Sequence, residues 1–254
     1  MSDFIITDFT PPAGRGRGLE TRDYSKNPVG YNSKPFDIPL IPESQWQGLL
    51  DKQKAAKAQL HNIRDTGNNG GRIPSTDQMQ TNFCWAHSST GAVMLLRARQ
   101  NEPFVPLSAT AIACKIKNFR NVGGWGAESL EYIAEHGVPS LTYWPQGNEG
   151  IKKHYDSPTT WENAAKHKVT EWMDMQPRSK AQLVTCLLLN IPVVSDFSWW
   201  GHSVVTLSLM SLNPFRTLIW NSWGDAWGDN GTGILEGSKA IPDGMIAPRS
   251  ISGN

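Results

Sequence analysis

Cys84 lies where the irregular segment 77–83 gives way to an apolar run with helical periodicity. At a helix N-terminus the macrodipole and the unpaired N–H groups favour a thiolate, the reactive form for attack on a carbonyl carbon. The same N–H groups, helped by a side-chain amide, can hold the oxyanion that such an attack creates. Gln78, six residues upstream, is spaced to supply that amide. Far along the chain, Gly201-His202-Ser203 opens a strand-like run, and Asn221-Ser222-Trp223-Gly224 follows another. A histidine beside a thiolate can carry its proton, and an amide oxygen on the far ring nitrogen fixes the tautomer. Cys84, His202 and Asn221 are therefore a candidate nucleophile, base and orienting group, distant in sequence and adjacent only if the fold brings them together.

These residues sit inside longer elements that resemble the papain family of cysteine peptidases. The segment from Gln78 through Cys84-Trp85-Ala86-His87-Ser88 resembles that family's nucleophile element, and Gly201-His202-Ser203-Val204 resembles its histidine element. Asn221-Ser222-Trp223-Gly224-Asp225-Ala226-Trp227-Gly228-Asp229-Asn230-Gly231 follows the family's asparagine element almost residue for residue. Leu107-Ser108, Gly123-Gly124 and Tyr143-Trp144-Pro145 fall where the family has related short elements. The resemblance implies peptide hydrolysis through a thioester, with Cys84 as nucleophile, His202 as base, Asn221 as its orienting group and Gln78 as oxyanion donor. Trp223 would shield the His202–Asn221 hydrogen bond, and Gly123 and Gly124 would lie along the substrate cleft. The implied fold is α+β and papain-like, with a helical left lobe and a β-barrel-like right lobe. No cofactor and no metal are implied. His87 stands where the family has an aromatic residue, and is expected to be packed or to wall the cleft.

The pattern of elements is consistent with that fold. Helices are expected near 84–100, 108–117, 127–136, 158–168 and 179–190, with Gly137 as a C-cap, Pro158 in a first turn and Ser179 opening the last. Short strands are expected around 193–194, 203–209, 217–220 and 233–236. Helices thus fill the first half and strands the second, the distribution of an α+β protein. Upstream, Ser44 and Gln47 have capping-box spacing, and Trp46, Leu49, Leu50, Ala56, Leu60 and Ile63 make one apolar stripe, which predicts a helix over 44–65. Residues 1–42 carry six prolines and Gly-Arg-Gly-Arg-Gly at 14–18, and read as an extended arm that is solvated or bound to a partner; anion binding is a weaker reading of its arginines. The expected organisation is an arm over 1–42, a helix and loop over 43–72 and a catalytic domain over 73–254.

Bulk properties exclude several classes. A formal charge of +1 over 254 residues, with 19% charged residues, is not the basic footprint of a nucleic-acid binder. No stretch is long and apolar enough to suggest a membrane span, and the first residues lack the pattern of a secretory signal. The three cysteines, Cys84, Cys114 and Cys186, have no zinc spacing and do not make a disulfide framework. A cytoplasmic or other reducing compartment is the expected location.

Three departures from the family bear on function. Thr81 replaces a cysteine that the family uses in a disulfide. Only seven residues, 195–201, connect the strand at Val194 to His202, where the family has a long excursion. The upstream residues do not carry the family's inhibitory propeptide pattern. The arm therefore has two readings: it blocks the cleft, or it anchors the chain in a protein assembly. The corresponding alternative to a peptidase acting on peptide or protein substrates is a structural component of a virion-like particle that keeps the fold.

Overall fold

The structure is a computed structural model and describes residues 4–30, 34–67 and 71–251. Its centre is one seven-stranded sheet. The strands are β1 (Lys34–Pro35), β2 (Val169–Asp174), β3 (Val193–Phe197), β4 (His202–Leu212), β5 (Phe215–Trp220), β6 (Thr232–Glu236) and β7 (Gly244–Ile251), in the spatial order β1-β2-β7-β3-β4-β5-β6. Every neighbouring pair is antiparallel except β1 with β2. Alternation along the strands sends side chains to two cores. Val194, Val205, Leu218 and Trp220 join one cluster, whereas Val193, Val204 and Ile219 join the other.

The first core is closed by α3 (Cys84–Arg99), α4 (Ala109–Ile116) and α5 (Gly126–His136), through Leu95, Ile112 and Leu130 among others. The second is closed by α1 (Glu43–Ala55) and α7 (Lys180–Leu188), through Trp46, Leu50, Leu183 and Leu187. The Ser157 and Ser179 hydroxyls cap α6 (Pro158–Ala164) and α7 as their positions predict, and Gly137 ends α5 at φ +80°.

Several expectations need correction. The right-hand lobe is not a closed barrel among the described residues. It is an open sheet whose two outer edges are covered by the N-terminal segment. Residues Phe4 and Ile6 exchange backbone hydrogen bonds with Ile234 of β6, and β1 pairs with β2. Covering both edges hides the unpaired amides that closure would otherwise have satisfied. The helix expected over 44–65 is two helices, α1 and α2 (Leu60–Thr66), broken where Lys57 turns to φ +48°. Its stripe serves both cores: Trp46 and Leu50 pack in one and Leu60 in the other. The capping box lies at Gln59 and Asn62 of α2, not at Ser44 and Gln47. Strands β1, β2 and β7 lay outside the sequence expectation. Cys84, Cys114 and Cys186 are free thiols, and the last two lie in different clusters.

Candidate active site

Cys84 is the first residue of α3, and its helix cap, Phe83, offers no side-chain oxygen to the terminal amides. The Ala86 and His87 amides donate to the Phe83 carbonyl at 3.0 Å, which leaves the Cys84 amide to meet an outside acceptor. His202 is the first residue of β4, and Asn221 directly follows β5. The hairpin from β3 to β4 pairs Phe197 with His202, so the shortened connection 198–201 is a tight turn that delivers His202 to the end of the sheet facing α3.

Asn221 Oδ1 lies 2.7 Å from His202 Nε2 and also accepts from the Ser222 amide at 2.8 Å. Because Oδ1 only accepts, Nε2 must carry the hydrogen, and the lone pair falls on Nδ1. Nδ1 is buried and has no hydrogen-bond partner among the described residues. The amide of the next residue, Ser203, lies against the Cys84 sulfur. Trp223 stacks on the His202 ring at 4.6 Å and 22°, and Trp200 meets it edge-on at 4.8 Å. Both indoles exclude water from the His202–Asn221 bond.

Gln78 is fully buried. Ser222 Oγ donates to Gln78 Oε1 at 2.6 Å, which leaves the amide nitrogen pointing the other way. That nitrogen donates to the Thr81 carbonyl at 2.8 Å and to the Arg17 carbonyl at 3.0 Å. The Cys84 amide donates to the same Arg17 oxygen at 3.4 Å. The two donors read as an oxyanion hole therefore converge on one carbonyl, and that carbonyl belongs to the arm.

The arm continues along the site on both sides of Arg17. Trp223 Nε1 donates to the Gly16 carbonyl at 2.9 Å, and the Gly16 amide donates to Met79. The Gly124 amide donates to Gly18, the Glu20 amide donates back to Gly124, and the Leu19 amide donates to Gly201. Leu19 and Gly124 form a parallel bridge. A Cβ on Gly16 would stand 2.3 Å from the Thr81 carbonyl oxygen, and one on Gly18 would stand 2.1 Å from that of Asn82. The glycines of 14–18 therefore serve close approach of backbone to the cleft. Beyond the cleft, Arg22 makes a bidentate ion pair with the buried Asp174, at 2.6 and 2.9 Å. Of the two sequence readings of the arm, the structure shows the blocked cleft.

Burial dominates the electrostatics of the pair. Burial pushes the Cys84 thiol far up, outweighing the Ser203 and Trp85 amides that favour the thiolate. Burial also pushes His202 down to about 3, against the hydrogen bond that its Nε2 donates to Asn221. With the arm in place the pair is thiol and neutral imidazole. The thiolate expected from the helix terminus is suppressed because desolvation outweighs the dipole.

The structure thus joins His202, Asn221 and Trp223 in one contact set, links Gln78 and Cys84 through the Arg17 carbonyl, and sets the Ser203 amide against the Cys84 sulfur. Gly124 pairs with the arm, and Gly123 lies under it, 2.6 Å from Gly18 O if given a Cβ. His87 is packed behind the site, 2.8 Å from Thr76 Oγ1, and burial lowers it to about 3. Sequence reasoning missed the roles of Ser222 and of Gly16-Arg17-Gly18. The alternation of glycine with arginine was the available signal, but nothing in it names the surface it approaches. Among the described residues no group of side chains could hold a metal ion, and no helix is long and apolar enough to cross a membrane.

A helix-borne cysteine facing a strand-borne histidine and asparagine across an interlobe cleft is the arrangement of a papain-like cysteine peptidase fold. The family model described as papain family cysteine protease matches residues 61–208, and the chain belongs to that family. It is 24% identical over 217 residues to the aleurain-like thiol protease of Arabidopsis thaliana, covering 75% of this chain and 60% of that protein. It is 24% identical over 211 residues to cysteine proteinase 2 of Zea mays, covering 74% and 59%. The chain thus spans about three fifths of these relatives. Among solved structures, xylellain, a cysteine protease from Xylella fastidiosa, superposes with a TM-score of 0.65 at 15% identity, over 94% of this chain and 97% of that one. Digestive procathepsin L 3 from Tenebrio molitor larval midgut gives 0.64 at 17%, over 93% and 76%. At these identities the superpositions establish the shared fold.

Proposed function

We propose that the chain is a cysteine peptidase that hydrolyses peptide bonds through a thioester at Cys84 and is held closed by its own residues 14–20. One observation carries this reading: Gln78 Nε2 and the Cys84 amide converge on a peptide carbonyl, that of Arg17. Two donors aimed at one oxygen beside a nucleophilic sulfur are what an oxyanion requires. In the reaction His202 Nδ1 takes the thiol proton, the thiolate attacks the carbonyl carbon, and the oxyanion is held by the two donors. The imidazolium then protonates the leaving amine, and water attacks the thioester with His202 again as base. Asn221 holds the imidazole in the tautomer that leaves Nδ1 free for these transfers. The arm must leave first, because its carbonyl occupies the hole. Peptides or proteins are the substrates on this reading, and a reducing compartment suits a buried free thiol nucleophile.

The test is covalent labelling. The full chain carrying Gly18→Ala, incubated with an epoxide thiol-protease probe, is expected to gain one probe mass, with Cys84→Ala as the blank. Loss of the reading follows if neither adduct formation nor cleavage of generic peptides occurs under reducing conditions once the cleft is open.

A further inference from the structure

The turn 198–201 that replaces the family's long excursion carries Trp199 and Trp200. Their rings stack at 5.8 Å and 11°, yet Trp199 remains 39% exposed while Trp200 is buried. Phe9 of the arm is seated against both. Its ring meets Trp199 edge-on at 4.9 Å and 87°, and Trp200 at 5.6 Å and 82°. Lys239, on the short 3-10 helix Gly237–Ala240, places its ammonium 4.2 Å from the centre of the Phe9 ring and 5.3 Å from that of Trp199. Trp200 Nε1 donates to the Phe9 carbonyl at 2.9 Å. The same Trp200 ring touches His202, so this cradle begins one ring away from the base.

We propose that Trp199, Trp200 and Lys239 form a substrate subsite for an aromatic side chain, which Phe9 fills while the arm is in place. The inference rests on the peptidase reading and names a preference within it. Two edge-to-face contacts and an ammonium over the ring are contacts that only an aromatic group returns; an aliphatic side chain of equal size fills the space but loses the quadrupole interactions. The main-chain bond from Trp200 Nε1 needs only a peptide carbonyl, so the ligand is an extended peptide with one aromatic residue. The cradle is not made by the arm. Trp200 is held by Phe197, Trp223 and His202, and Lys239 follows β6, so the cradle persists when the arm leaves. The arm also occupies the oxyanion donors, so a substrate must displace it and inherits the surfaces it vacates.

The test uses the full chain carrying Gly18→Ala, cutting peptide pools that vary one position at a time, with products read by mass spectrometry. At one fixed position relative to the cut bond, phenylalanine or tyrosine is expected to raise kcat/KM about tenfold over leucine, mainly through KM. Trp199→Ala brings that ratio to about one, Trp199→Phe keeps most of it, and Lys239→Ala lowers it part-way. The absence of an aromatic preference, or one that survives Trp199→Ala, overturns the proposal. A binding measurement separates this failure from failure of the peptidase reading. A fluorescein-labelled hexapeptide with one phenylalanine and its leucine twin are titrated onto the full chain carrying Cys84→Ala and Gly18→Ala. Tighter binding of the phenylalanine peptide, lost with Trp199→Ala, supports the cradle even if no peptide is cut; equal binding of the twins, or none, rejects it.

Discussion

The Arg17 carbonyl oxygen stands 3.0 Å from Gln78 Nε2 and shares that donor's convergence with the Cys84 amide at 3.4 Å. A main-chain group of the chain itself thus sits where the charge of a reaction intermediate would develop. Specificity for backbone, not for side chain, explains why glycine flanks Arg17 on both sides: the arm can reach the hole only where no Cβ intervenes.

Opening the cleft should therefore need only one methyl group. Gly18 has φ +115°, and an added Cβ would lie 2.1 Å from a backbone oxygen that cannot move aside. Gly18→Ala is expected to raise the alkylation rate of Cys84 by iodoacetamide at pH 7 at least about tenfold, because water regains the sulfur and the thiolate is no longer suppressed. The pH profile of the rate should move to lower pH in the variant. Equal rates and superimposed profiles for the two proteins would show that the arm does not control the thiol.

Arg22 and Asp174 form the anchor of the arm beyond the cleft. Their side chains are 5% and 0% exposed, and the guanidinium also lies over Tyr24 and Trp125. Removing one partner leaves a buried uncompensated carboxylate, a change that typically costs about 3–5 kcal/mol. Arg22→Ala should lower the urea midpoint and expose Cys84 to the epoxide probe. Arg22→Lys should restore little, since an ammonium cannot make the bidentate fork. Unchanged stability and labelling in Arg22→Ala would remove the anchor from the account.

In the opened chain, Gln78→Ala removes one of the two oxyanion donors and should lower kcat about 10²-fold or more with little change in KM. Asn221→Ala should lower kcat by a comparable factor through loss of the His202 tautomer. Steady-state kinetics on a fluorogenic peptide decides both, and a loss confined to KM would contradict either role.

Stability should fall as acid is added. His202 and His87 are each pushed from 6.5 down to about 3 by burial, so between those values the unfolded chain binds protons that the folded chain does not. Asp196 acts in the opposite sense. Burial raises it from 3.8 to about 6, so its contribution weakens the fold as pH rises through that window. The two histidine shifts outweigh the single carboxyl shift, and the urea midpoint is expected to drop from pH 7 to pH 4.5. A flat or rising midpoint over that range would refute the balance.

Much of the site is legible in the sequence. A cysteine at a helix start, a histidine at a strand start and an asparagine after the next strand are local facts, each marked by its own flanking residues; in the structure His202, Asn221 and Trp223 touch, and Gln78 and Cys84 share the Arg17 carbonyl. The helices 84–99, 109–116 and 180–188 were legible because their apolar periodicity and caps are local too. Strands β1, β2 and β7 were not. A two-residue edge strand has no pattern of its own, and β2 and β7 exist because they pair with each other across roughly eighty residues of sequence.

What the sequence alone determined is the identity of the reacting groups and the class of fold that carries them, because both rest on residue types at fixed short spacings. Which surface the arm meets was decided only by tertiary structure. Gly14-Arg15-Gly16-Arg17-Gly18 has the composition of a solvated tail, and only the proximity of Met79, Thr81, Asn82 and Gly124 turns its flexibility into close contact. The ionisation of Cys84 was decided the same way. A helix terminus favours a thiolate locally, but the arm removes the water that would stabilise the charge, and desolvation is a property of everything packed around the sulfur.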